Sequence, residues 1–219
     1  MSATRSPWLE PAIDAYASTH SITPDAIQQA LIDETARLGP RAQMQISPMQ
    51  GAFMELLARA IGARNAVEVG TFTGYSALSV ARALPVDGHL LCCDVSEEWT
   101  SIARRYWQQA GVADRIELRI GPALDTLRSL PVAEQFDIGF IDADKPSYPA
   151  YFEELVPRLR RNGVLLVDNT LWAGRVADPS EDDSGTAAMR TFNDTVAADD
   201  RVMTVLLPFS DGLTLLLKR

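Results

Sequence analysis

The chain closes on "RVMTVLLPFSDGLTLLLKR", residues 201 to 219, and this stretch decides which fold the rest belongs to. Two apolar runs, 202 to 208 and 212 to 217, are parted only by Phe209, Ser210 and Asp211. Strands this close can pair only as a hairpin, since a parallel crossover needs a dozen or more residues. They are therefore antiparallel. A dinucleotide-binding sheet would close instead on a parallel strand reached through a helix.

Upstream of the hairpin the pattern alternates. Residues 8 to 39 read as helices broken at Pro24, and "SPMQGAFMELLARAIG" (47 to 62) reads as one helix. Phe53, Leu56, Leu57, Ala60 and Ile61 recur there at helical spacing, and Gly62 ends it. Strands and helices then take turns. "AVEVG" precedes a helix from Gly74 to Leu84, and "HLLCCDV" precedes one opened by Ser96 as N-cap, with Glu97 and Glu98 in its first turn, ending near Gly111. "RIELRI" leads into "ALDTLRSL", "FDIGFID" into "YPAYFEELVPRLR", and "GVLLVD" is a fifth strand. Such alternation implies right-handed crossovers and an α/β, doubly wound, Rossmann-like sheet with helices on both faces. At 219 residues with 47% hydrophobic side chains, one domain spanning 1–219 suffices.

The net charge of −9 opposes a nucleic-acid partner, which demands a basic face. Cys92 and Cys93 are adjacent and give no disulfide staple, which fits a reducing compartment. "MSATRSPWLEPAI" lacks the pattern of a secretory signal, and no apolar run approaches the roughly 20 residues of a membrane span. A cytoplasmic protein with no membrane partner is the expectation.

Three stretches carry chemistry. "VEVGTFTGYS" (67 to 76) follows the first strand and opens a helix, where ligands of open α/β sheets sit. Its glycines, Gly70 and Gly74, are spaced G-x-x-x-G, so the dinucleotide fingerprint is incomplete. Glu68 would repel a pyrophosphate but suits a cationic ligand, and S-adenosylmethionine carries an ammonium and a sulfonium. Asp94 ends the second strand, where a carboxylate accepts from ribose hydroxyls or merely caps the turn. In "FDIGFIDADKPSY" (136 to 148) and "GVLLVDNTLW" (163 to 172) the apolar runs end in Asp142 and in Asp168–Asn169. Neighbouring strands would bring these together as hard oxygen donors suited to Mg²⁺, Ca²⁺ or Mn²⁺, or they are simply turn formers. His20 and His89 lie far from these motifs, which disfavours zinc. Lys145 is either an exposed loop lysine or a base.

With "VEVGTFTGYSAL", "FIDADKPSY", "VDNTLWAGRV" and "PFSDGLTLLLKR" in hand, the chain from about Met44 to Arg219 resembles the cation-dependent class I O-methyltransferases, the catechol and caffeoyl-coenzyme A group. The resemblance implies seven strands with the last antiparallel, and S-adenosylmethionine held by Ile46, Glu68, Gly70, Thr71, Ser76, Asp94, Ala123, Asp142 and Asp144. It implies a divalent cation, Mg²⁺ first among the three, on Asp142, Asp168 and Asn169. Asp142 and Lys145 become catalytic, and Trp172 with Lys145 lines the pocket of a small aromatic acceptor bearing a vicinal diol. It further implies a homodimer, with the helices of residues 1–62 covering the site and contributing the interface. The segment 173 to 190, with Asp178, Glu181, Asp182 and Asp183, reads as a mobile acidic loop over the acceptor, a poor match for an anionic coenzyme A ester. Two competing readings are a nicotinamide-dependent oxidoreductase and a non-catalytic binding module; a nucleic-acid methyltransferase is disfavoured by charge.

Overall fold

The computed structural model describes residues 9 to 219, so Trp8 and most of the stretch read for a secretory signal lie outside the described residues. Three helices come first: α1 (Pro11–Thr19), α2 (Ala26–Ala36) and α3 (Pro48–Ala60). Asp25 starts α2 as a capping box with Gln28, just past the predicted break at Pro24. The alternating part runs β1 (Asn65–Val69), α4 (Tyr75–Ala83), β2 (His89–Asp94), α5 (Glu97–Gln109), β3 (Ile116–Ile120), α6 (Ala123–Ser129), β4 (Phe136–Ile141), α7 (Tyr148–Leu155) and β5 (Leu159–Val167). It closes with α8 (Ser184–Ala198), β6 (Val202–Leu207) and β7 (Leu213–Lys218).

The seven strands lie in the order β3-β2-β1-β4-β5-β7-β6. β1 to β5 are mutually parallel, while β7 is antiparallel to both β5 and β6, as the closing hairpin requires. Alternate residues of the central strands feed opposite cores. Val164 and Leu166 face the layer of Leu31, Met54 and Leu78. Leu165 and Val167 face the layer of Tyr148, Phe152 and Phe192. A sheet covered on both faces explains why β4 and β5 read as nearly continuous apolar runs. The strand order reverses between β1 and β4, and that switch point opens a crevice at their carboxyl ends.

Four sequence expectations need correction. The inward face of α3 is Gln50, Gly51, Met54 and Ala58; Leu56 is 59% exposed and Ala60 is also exposed. Gly51 explains the rotation, because a Cβ there would come within 2.7 Å of Ser79 Oγ and Tyr75 Cε1, so α3 lies tight on α4. The helix expected through residue 160 stops at Leu155, and a single 3-10 turn carrying Pro157 separates it from β5, which begins at Leu159 rather than at Gly163. Segment 173–190 is not one loop. A 3-10 stretch (Trp172–Ala177) precedes α8, whose N-cap Asp183 accepts from the Gly185 and Thr186 amides. Arg190 on α8 donates to the carbonyls of Val176 (3.0 Å), Glu181 (2.7 Å), Arg175 (2.9 Å) and Asp178, which fastens the segment from within. Among the described residues no helix is long and apolar enough to cross a membrane.

Candidate active site

The crevice widens into a cavity of about 1080 Å³, bounded by the loops after β1, β2, β4 and β5, by residues 43 to 50, and by the β6–β7 turn. Its wall is unusually strained. Six non-glycine residues among those described adopt positive φ, and five of them, Phe72, Asn169, Trp172, Ala173 and Ser210, line this cavity. Each costs on the order of 1–3 kcal/mol, and such strain collects where a site demands a backbone path that packing alone would not choose.

On one side stands the turn after β1. Gly70, at φ +90°, lies so close to β4 that a Cβ would come within 2.0 Å of the Asp142 carbonyl oxygen. Only glycine permits this approach. Glu68 projects from β1 and is 1% exposed. Burial pushes its carboxyl up to about 8, and the nearby charges of Asp142 and Asp94 push the same way. Its Oε2 and the Oγ of Thr71 have no hydrogen-bond partner by geometry among the described residues. Ile46, Ser76 and Ala123 are buried in the same wall. Asp94 is more committed than expected: Oδ2 accepts the Thr71 and Phe72 amides, both at 2.8 Å, and Oδ1 accepts the Ser96 amide at 2.8 Å. The capping reading is thus realised, and any ribose hydroxyl must use the remaining lone pairs. Asp144 is exposed on the rim and accepts from the Tyr151 hydroxyl at 2.7 Å.

On the other side stand the two acidic strand ends. Ile141 pairs with Val167, so the next residues, Asp142 and Asp168, leave the sheet side by side. Lys145 donates from Nζ to Asp142 Oδ1 (3.0 Å), Asn169 Oδ1 (2.6 Å) and the Tyr148 hydroxyl (2.6 Å). It is therefore no free loop lysine. Asp168, 4% exposed, accepts Gln50 Nε2 on Oδ2 (2.9 Å) and the Asn169 amide on Oδ1 (2.7 Å). Burial and the neighbouring Asp142 charge hold its carboxyl well above the usual carboxylate range. Among the described residues no three His, Cys, Asp or Glu side chains converge on one point, so any cation here needs the Asn169 amide oxygen beside the two carboxylates. Asp211 accepts the Asn169 amide nitrogen (3.4 Å) and the Ala173 amide (2.6 Å), which turns Asn169 Oδ1 toward Lys145. Trp172 forms part of the wall beyond, with the Arg175 guanidinium 5.9 Å from its ring centre.

Thirteen positions were expected from the sequence, and twelve line the cavity while Glu68 lies just behind it. Three contributors were not foreseen: Gln50, Tyr148 and Asp211. Gln50 was legible in principle, as a glutamine on the inward face of a helix opened by Ser47. Asp211 was hidden in a turn motif that explains an aspartate without any site.

The chain matches the family model described as "O-methyltransferase" over residues 18–219. The caffeoyl-CoA O-methyltransferase of Mesembryanthemum crystallinum is 40% identical over 200 residues, covering 84% of this chain and 76% of that one. An O-methyltransferase from Bacillus cereus, solved with SAH, superposes with a TM-score of 0.86 at 35% identity, covering 95% and 97% of the two chains. The O-methyltransferase TomG from Streptomyces achromogenes, solved with SAM, gives 0.85 at 33% identity, covering 94% and 96%.

Proposed function

Because the chain belongs to the caffeoyl-coenzyme A-like family of class I S-adenosylmethionine-dependent O-methyltransferases, we propose that it methylates one hydroxyl of a small aromatic vicinal diol with the help of a divalent cation. With the family, the oxidoreductase and binding-module readings fall away. The observation that carries the proposal is the pairing of Asp142 and Asp168 at adjacent strand ends, with Asn169 Oδ1 turned toward the same ammonium as Asp142. Two crowded carboxylates, one with a raised proton affinity, are a donor set that a cation of charge two relieves. Asp142, Asp168 and Asn169 would hold Mg²⁺, Mn²⁺ or Ca²⁺, the first being the smallest and the one that suits few protein ligands plus two acceptor oxygens. When bound, the cation supplies a lowered pKa at the acceptor hydroxyl and a template for both its oxygens.

The chain's own residues do the rest. Glu68 stands behind the wall nearest the donor's ammonium, and the turn at Gly70 and Thr71 brings backbone against its methionine part. Ile46 and Ala123 give the donor an apolar cover, Ser76 and Asp94 offer polar contacts, and Asp144 stands at the rim. Lys145, with Nζ held by the Tyr148 hydroxyl, would stand beside the acceptor hydroxyl, where the free amine takes its proton and the ammonium stabilises the resulting oxyanion. The oxygen then attacks the methyl carbon; the C–S bond breaks, and its electron pair stays on sulfur, turning sulfonium into thioether. Positioning the two reactants in line is worth several powers of ten by itself.

Acceptor choice is read from the mouth of the cavity. Asp211 and Trp172 line it, and Arg175, which reaches the Trp172 ring, is paired with Asp183 of the adjoining acidic segment at 3.9 Å. Acids at this mouth are a poor match for a phosphate-bearing tail, so a free catechol, hydroxycinnamate or polyketide-like diol fits better than a coenzyme A ester. The test is methyl transfer to a panel of vicinal diols, free and as thioesters, with Mg²⁺ and with a chelator. Cation-dependent transfer to a free diol is expected. Full activity in chelator would overturn the cation, and a strict demand for the thioester would overturn the acceptor class.

Two further outcomes follow from the same geometry. Glu68 has a raised folded pKa, so the native state holds its proton when the unfolded chain has lost it. Its contribution is most favourable below about 4.5 and is lost progressively as pH rises to about 8, by up to ~1.4 kcal/mol per pH unit. Melting curves of the ligand-free protein should therefore fall across this window, with Asp168 adding to the fall, and Glu68→Gln should make it shallower; curves parallel to the parent's would refute the assignment. Trp172→Ala should raise the acceptor KM about tenfold, the scale of one lost aromatic contact, while the donor KM stays put. Steady-state kinetics with each substrate varied in turn separates the two.

A further inference from the structure

Gln50 is the one long polar side chain on the inward face of α3. Its companions there are Gly51, Met54 and Ala58, and only 1% of it is exposed. Sinking an amide into such a face is unfavourable unless a partner repays it. The partner is Asp168 Oδ2, 2.9 Å from Nε2. Three independent contacts bring Gln50 to that oxygen. Ser47 caps the helix by accepting the Gln50 amide at 3.1 Å, the Ser47 hydroxyl meets that of Ser210 at 3.2 Å, and the Gly51 approach to Tyr75 and Ser79 fixes the depth of the helix.

We propose that Gln50 is a positioning residue for the cation: it orients the Asp168 carboxylate without competing for its charge. The inference rests on the cation reading given above. A lysine or arginine in this place would neutralise Asp168 and repel a divalent ion, whereas an uncharged amide donor fixes the torsion of the carboxylate and leaves its charge available. Only one of the four lone-pair directions on the two oxygens is taken by Gln50, and one more by the Asn169 amide, so the carboxylate keeps free directions for a metal. Partners that orient ligands in this manner carry a factor of roughly 10–100 in metal affinity.

The experiment is Mn²⁺ binding to the full chain without substrates, followed by electron paramagnetic resonance, for the unaltered protein, Gln50→Leu, Gln50→Asn and Asp168→Ala. SAH affinity in metal-free buffer and the melting temperature are measured alongside. Gln50→Leu is expected to weaken Mn²⁺ binding about 10–100-fold with SAH affinity unchanged, and Gln50→Asn, whose amide is drawn back by one methylene, to behave similarly. Asp168→Ala should lose the ion. Unchanged Mn²⁺ affinity in a folded Gln50→Leu or Gln50→Asn overturns the inference while leaving the cation reading in place. If the unaltered protein takes no Mn²⁺, or Asp168→Ala binds it equally well, the cation reading fails and the role of Gln50 fails with it.

Discussion

Gly70→Ala is expected to abolish the donor site and to cost the protein a large part of its stability. Two penalties add. At φ +90° any L side chain is strained by about 1–2 kcal/mol. The new Cβ would also lie 2.0 Å from the Asp142 carbonyl oxygen, 2.6 Å from its carbon and 3.2 Å from the Ala143 Cα. All three are backbone atoms, so no side chain can swing away. Relief requires β1 and β4 to part at their carboxyl ends, where the Asp142 amide donates to the Val69 carbonyl at 2.8 Å. We expect a loss above ~4 kcal/mol, comparable to a domain's whole margin. Gly62→Ala is the control: φ is +64° and nothing lies within 4 Å, so only the conformational cost of about 1 kcal/mol remains. Thermal melts of both variants, with SAH titrations, decide the matter. A Gly70→Ala protein that melts within a few degrees of the parent would show that the crevice is looser than described.

Asp168→Ala should lower methyl transfer by roughly 10²–10³-fold or more, the scale set by removing one principal stabiliser of developing charge. The signature is a loss of response rather than a low rate alone. In the parent, a chelator should depress the rate by a similar factor; in the variant it should change little, because the ion has already gone. SAH affinity should stay within a few-fold, since Asp168 faces Gln50 and Asn169 rather than the Glu68 side of the cavity. Wild-type transfer that still follows Mg²⁺ in Asp168→Ala would remove this residue from the cation site.

The parts of the fold that could be read from the residues are those governed by period and by chain length. Antiparallel β6–β7 followed from a three-residue gap, and the meeting of Asp142 with Asp168 followed from two apolar runs joined by one helix. What escaped was decided by contacts distant in sequence. The face of α3 turns on Gly51 touching α4, which no helical wheel reports. α8 was obscured because Asp183 looked like one more acid in an acidic loop, when it is the N-cap of a fifteen-residue helix. Asp94 ends the second strand as its sequence position suggested, but its three backbone donors belong to loops whose paths only the folded chain fixes. Gln50, Tyr148 and Asp211 act through other side chains, so neither their spacing nor their type announces them.

The fastening of the segment before α8 has a consequence for which of its residues can change. Arg190 grips it solely through main-chain oxygens, those of Arg175, Val176, Asp178 and Glu181. Carbonyls are supplied by every residue, so the grip of Arg190 does not depend on which side chains stand at 177 to 182, although Asp178 accepts from the Ser180 amide and hydroxyl and shapes the turn there. A lineage could exchange acids for bases or aromatics there while Arg190 and the machinery at the ends of β4 and β5 stay untouched. Surface chemistry and backbone path are in this way separable, with a single arginine between them.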